Sequence, residues 1–171
     1  MAEALQLPDH PDQTLAFKEA MRHLAGAVSV ITVGDGESRT GFTATSVNSF
    51  SVEPPTLLVC VNLNASSWPL IMRTGGFTVN LLSQQDVAVA DRFSGLGGVT
   101  GEGRYADAEW TSATGGYGLA SALAVIDCEL DEAIERYSHA ILLGRVRSVT
   151  TRTEKTPLLY WHKTYRSLGL S

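Results

Sequence analysis

The residues of this chain with chemical reach are mostly hydroxyls and amides, and they crowd into one stretch. That stretch, from Gly41 to Leu82, reads GFTATSVNSFSVEPPTLLVCVNLNASSWPLIMRTGGFTVNLL. Thr45, Ser46, Val47, Asn48 and Ser49 offer backbone and side-chain donors and acceptors before a paired-proline break. Asn62 is a polar residue at the end of an apolar run, and Ser66 and Ser67 precede a helix signal. Free N–H groups and the helix dipole favour an anion at such a start. Arg92 supplies a cation if the end of its helix lies close by. Groups of this kind suit a flat polar ring with an anionic tail, as in flavin mononucleotide. Each also has a plainer reading: a serine pair caps helices, TATSVNS is an ordinary polar strand face, and Arg92 is a solvated helix-end charge.

Other chemistry has little support. GEGRYA, from Gly101, fails the last position of a dinucleotide fingerprint, and GDGESRTG, from Gly34, lacks the spacing and Gly-Lys-Ser/Thr of a phosphate loop. Neither HExxH nor GxSxG is present. His10, His23, His139 and His162 are dispersed without metal-ligand spacing, so no metal is expected. A reaction run here would rely on a bound cofactor for its hard step.

The elements that position these groups follow from periodicity and punctuation. Residues 1–13 carry Pro8 and Pro11 and read as a flexible arm before a single domain over 14–171. Phe17, Ala20, Met21 and Leu24 form one helical stripe, capped by Asp12 or Thr14 and ending near Ala25. AVSVITV (27–33) is a strand, Gly34–Glu37 a turn, and 39–45 the return strand. TLLVCV (56–61) is a strand covered on both faces. A short helix with Pro69 in its first turn stops at Gly75-Gly76, and FTVNLL (77–82) is the next strand. Ser83 and Asp86 open a helix to Phe93. Residues 94–121 are Gly-rich and aperiodic, a loop expected to lie over the surface and gate it. Strands return at 122–133 and 139–150, and 157–161 is extended. Six or seven strands joined mostly by short turns predict a mainly β fold with a few helices: a closed or nearly closed antiparallel barrel.

The chain has 171 residues and a net charge of -5, from 13 Lys plus Arg against 18 Asp plus Glu. With no basic block, nucleic acid and anionic membrane surfaces are not expected partners. No apolar run approaches the ~20 residues that span a bilayer. The N-terminal MAEALQLPDHPDQ lacks a secretory pattern, which makes the cytoplasm the expected compartment. Cys60 and Cys128 lie in separate apolar runs and read as small buried strand residues, not a disulfide.

The order of these motifs resembles the short-chain flavin reductase family, the reductase components of two-component flavin-dependent monooxygenases. FKEAMRHLAGAVSVITV, GFTATSVNSFSVEPPTLLVCV, NASSWP, GGFTVNLLSQQ, Arg92-Phe93, ALAVIDCEL, HAILLGRV and PLLYWHKTYR carry the resemblance over residues 15–166. It implies a split β-barrel of Greek-key type that binds FMN, with FAD as the alternative, and forms a homodimer. It implies flavin reduction by hydride transfer from NADH or NADPH, with reduced flavin passing to a partner monooxygenase. No side chain need act as acid or base. Thr45 to Ser49 would line the isoalloxazine, with Cys60 beside them; Asn62, Ser66 and Ser67 would hold the ribityl phosphate, with Arg92. His139 would position the nicotinamide, and Tyr165 would reach the same cleft. The chain departs from the family pattern at Tyr137-Ser138-His139, where Gly-Asp-His is common, and its loop after Phe93 lacks the usual lysines. Two other readings are a flavin carrier or sensor without reductase activity, and a barrel oxidase of a phosphorylated vitamin.

Overall fold

The computed structural model describes residues 11–152 and 154–168. Helices α1 (Pro11–Arg22), α2 (Ser67–Thr74) and α3 (Val87–Phe93) decorate strands β1 (Gly26–Ala27), β2 (Ser29–Val33), β3 (Thr40–Ala44), β4 (Asn48–Val52), β5 (Pro55–Asn62), β6 (Gly76–Leu81), β7 (Trp110–Ser112), β8 (Tyr117–Leu119), β9 (Ala124–Arg136), β10 (His139–Thr151), β11 (Leu158–Trp161) and β12 (Thr164–Ser167). Most of the expected arm lies outside the described residues; Pro11 to Gln13 already belong to α1. The fold is mainly β with three helices among the described residues, and every ladder there is antiparallel. No helix among them is long and apolar enough to cross a membrane.

The main sheet has seven strands in the order β3-β2-β6-β9-β10-β5-β4. It is open among the described strands, where the strand pattern predicts a closed or nearly closed barrel. Its two edges, β3 and β4, are consecutive in sequence but share no ladder. Only residues 45–47 separate them, so the chain steps from one edge of a curled sheet to the other without a hairpin turn.

Alternation along the strands builds two cores. Ile31, Val33, Val59, Val61, Phe77, Val79 and Leu142 meet Leu70 and Ile71 of α2 on one face. Val28, Val30, Leu82, Phe93, Tyr105, Leu119 and Leu158 pack on the other. The run AVSVITV is continuous because β2 is buried on both faces. It breaks at Val28, whose N–H donates to the Leu158 carbonyl as the chain changes sheets from β1 to β2.

The outer face also carries a row of buried polar residues. Thr32, Thr78 and Asp127 are successive register partners on β2, β6 and β9, with Asn80 one step along. They anchor the end of the Gly-rich segment. Asp127 Oδ1 accepts from Thr78 Oγ1 and from the Gly115 N–H, both at 2.8 Å. Thr32 Oγ1 donates to the Tyr117 carbonyl at 2.7 Å and accepts from its N–H at 3.0 Å. Asn80 Oδ1 accepts from the Leu119 N–H at 2.7 Å. Glycine is required for this approach: a Cβ at Gly115 would lie 2.5 Å from the Phe77 nitrogen. The segment read as a gating loop is therefore pinned at its C-terminal end, with a β7–β8 hairpin and an aromatic cluster of Phe93, Tyr105, Trp110 and Tyr117.

α1 differs from expectation in another way. Its stripe is formed, but Phe17 and Met21 are 63% and 45% exposed, and Leu24 just beyond it is 67% exposed. Among the described residues nothing covers it.

Candidate active site

β3 and β5 share no ladder, yet side chains join them at two points. In the link after β3, Ser46 Oγ accepts from the Cys60 N–H at 3.1 Å and donates to the Cys60 carbonyl at 3.4 Å. At the other end, Thr40 Oγ1 and Ser66 Oγ lie 3.1 Å apart. Thr40 to Ser46 and Cys60 to Ser66 each span six residue steps, roughly 20 Å if extended. Between these contacts runs a seam where the sheet has not closed.

At the Ser46 end, Thr45, Asn48 and Ser49 are exposed, and Val47 and Cys60 are half-buried. Asn48 and Ser49 begin β4, in register with Leu58 and Leu57. Midway, Asn62 Oδ1 accepts the Asn64 N–H at 2.8 Å and turns the chain toward α2. His139 opens β10 as the register partner of Asn62. The tight β9–β10 turn puts Tyr137 at φ 54, a conformation that favours glycine. Ser138 Oγ lies 2.9 Å from His139 Nδ1, a polar partner for the imidazole.

The Thr40 end is a cleft of about 340 Å³ lined by Arg39, Thr40, Ser66, Arg73 and Thr100 among others. Ser66 occupies the N-cap position of α2 but makes no capping bond; its hydroxyl turns to Thr40 instead. Ser67 is fully buried and its Oγ has no partner, so its side chain is closed to the cleft. The Arg39 guanidinium sits 5.0 Å over the Tyr105 ring and 5.4 Å over Tyr117. Tyr105 in turn donates its hydroxyl to the Thr40 carbonyl at 2.7 Å. Burial, partly offset by Arg39, holds that hydroxyl well above the ordinary tyrosine pKa and keeps it a donor.

Of the remaining expected residues, Arg92 lies apart and Tyr165 shares a cleft with Thr45. Arg92 bonds the Ala88 carbonyl at 3.3 Å and Asp107 at 3.1 Å, and lines a different cleft with Asp86 and Lys155. The structure does not bring it to Ser66. Tyr165 lies with Thr43, Thr45 and Asp91 in a cleft of about 610 Å³ beyond the Ser46 end. Burial first, then Asp91, pushes its pKa up to about 12. Sequence reasoning missed Arg39 and Arg73, although Arg39 stands two residues before the hydroxyl-rich stretch.

The seam thus offers hydroxyls and two cations at one end and backbone with small side chains at the other. No group of three or more metal-ligating side chains occurs among the described residues. An elongated ligand with a neutral planar end and an anionic tail fits this donor set. Residues 21–169 match the flavin reductase like domain. The chain belongs to the flavin reductase family. A curated relative from Klebsiella pneumoniae named FMN reductase (NADH) RutF is 36% identical over 154 residues, 90% of this chain and 93% of that protein. One from Methylorubrum extorquens, FMN reductase (NADH) RutF 2, is 38% identical over 90% of this chain and 88% of its own length. Among solved structures, a putative flavin reductase from Haemophilus somnus superposes with a TM-score of 0.84 at 33% identity, covering 94% of this chain and 100% of that one. BorF, the flavin reductase component of a bacterial two-component tryptophan halogenase, gives 0.82 at 27%, covering 91% and 98%.

Proposed function

We propose that this flavin reductase family member is an NADH:FMN oxidoreductase whose flavin lies along the β3–β5 seam. The observation that carries the activity is the near full-length similarity to proteins named FMN reductase (NADH). When bound, the flavin supplies the hydride-accepting chemistry. The chain's own residues bind and orient. Backbone groups of residues 45–47, with Asn48 and Ser49 at the start of β4, meet the ring near half-buried Cys60. Asn62 faces the ribityl chain, and Ser66 with the N–H groups of the first α2 turn meets the phosphate. His139, oriented by Ser138, stands beside the middle of the seam for the nicotinamide nucleotide. FAD is the larger alternative flavin.

The open sheet with adjacent edges supports the finer reading of a split barrel. A homodimer is supported by exposed apolar side chains on α1 and on edge strand β4, where Phe50 and Val52 are 60% and 78% exposed. Reduced flavin then serves a partner monooxygenase in the cytoplasm; BorF is likewise the flavin reductase component of a two-component enzyme, a tryptophan halogenase. The test is anaerobic: purified protein with FMN should bleach the flavin absorbance on adding NADH, and more slowly with NADPH. Tightly bound flavin that neither nucleotide bleaches would point instead to a carrier or sensor.

A further inference from the structure

The Thr40 end of the seam holds more positive charge than the hydroxyl motifs alone suggest. Arg39 is one cation of its lining. Two tyrosine faces hold its guanidinium in place, and its Nε is buried without a hydrogen-bond partner. Its nearest carboxylate, Glu102, is 3.9 Å away and 59% exposed, too loose to satisfy the fork. Arg73, from the last turn of α2, lines the same cleft, with Glu37 also at its wall. Ser38, Thr40, Ser66 and Thr100 complete the lining with hydroxyls. A half-buried, aromatic-braced arginine with an unpartnered Nε beside convergent hydroxyls is suited to a phosphate monoester, which guanidinium recognises through charge-assisted, often bidentate bonds.

We propose that Arg39, assisted by Arg73, holds the terminal phosphate of FMN and makes this site select phosphorylated flavin over riboflavin. The inference rests on the flavin reading above. It adds that the selecting cations come from β2–β3 and α2, where no sequence motif marked them. It also gives the 94–121 segment a positioning role, because Tyr105 and Tyr117 belong to it and fix Arg39. Arg104 straps that segment to β3, bonding the Val99 carbonyl at 3.1 Å and the Gly41 carbonyl.

The experiment titrates the full chain with FMN and with riboflavin, following flavin fluorescence, for wild type, Arg39→Gln and Arg73→Gln. The expected result is tighter binding of FMN than riboflavin by wild type. Arg39→Gln should weaken FMN by roughly 10- to 100-fold and leave riboflavin within twofold. Exposed Arg73→Gln should weaken FMN several-fold with the same selectivity. Added salt should lower wild-type affinity for FMN only. A thermal scan checks folding of Arg39→Gln; if it is unfolded, the Arg73→Gln titration and the salt series decide. Parallel losses for both flavins, or FMN binding unchanged in both variants, would overturn the phosphate assignment. Wild type binding both flavins equally overturns it while leaving the flavin site standing. Wild type binding neither overturns the flavin reading and this inference together.

Discussion

Replacing Asp127 with alanine removes one carboxylate oxygen that the sheet and the Gly-rich segment share. Asp127 is 4% exposed, and its Oδ1 accepts from Thr78 Oγ1 and the Gly115 N–H, both at 2.8 Å. Both donors are buried, so alanine strands two of them at about 1–3 kcal/mol each. Relief from holding a buried carboxylate offsets part of that cost. The Thr78 hydroxyl also rotates, which leaves a net loss of about 2–4 kcal/mol. Asparagine keeps an oxygen at the same place and should cost about 1 kcal/mol, the difference between charge-assisted and neutral bonds. Urea unfolding at fixed protein concentration reads this as a lower midpoint at unchanged slope. A thermal scan should drop roughly 6–12 °C for alanine in a chain of this size. Hydrogen exchange at Gly115 should quicken in the same variant. Because Gly115 precedes Tyr117, which braces Arg39, affinity for FMN should also fall. An alanine variant within about 0.5 kcal/mol of wild type would show that the polar row does not pin the segment.

Three further outcomes are expected. Ser66→Ala should weaken FMN binding roughly 2- to 10-fold, the value of one hydrogen bond. Ser67→Ala should change it little and serves as the internal control, since that hydroxyl is buried without a partner; equal losses in the two would refute the distinction. Burial raises the Cys128 thiol to about 12, so at pH 8 a thiol reagent should label half-buried Cys60 in native protein and reach Cys128 only on unfolding. The Tyr165 pKa is raised above its unfolded value near 10 to about 12; its contribution to stability is complete below pH 10 and lost as pH climbs from 10 through 12. Ultraviolet titration of wild type against Tyr165→Phe checks this, and identical alkaline unfolding curves would refute it.

Much of the architecture was legible in the chain. AVSVITV, TLLVCV and FTVNLL became β2, β5 and β6 within a residue or two, because apolar runs bounded by Gly and Pro have few other stable uses. Gly75 ends α2 in the left-handed conformation, as the Gly-Gly pair required. β12 was missed: its run of Thr, Tyr, Arg and Ser is a strand only because it pairs with β11. The aperiodic segment 94–121 gave no sign of its anchorage, since its partners Thr32, Thr78, Asn80 and Asp127 sit far away in strands that read as apolar.

The sequence by itself determined most of the longer strands and the helices and placed hydroxyls, amides and serines in one ordered stretch, because alternation and turn chemistry are local. Tertiary structure decided what those groups meet. It left β3 and β4 without a ladder between them, set Thr40 beside Ser66 and Ser46 beside Cys60, and turned the Ser67 hydroxyl inward. It directed Arg92 to Asp107 and brought Arg39 under two tyrosines to the end of the seam. A residue's periodicity fixes the face on which it lies; only the long-range pairing of strands fixes its neighbours, and recognition of a ligand depends on neighbours.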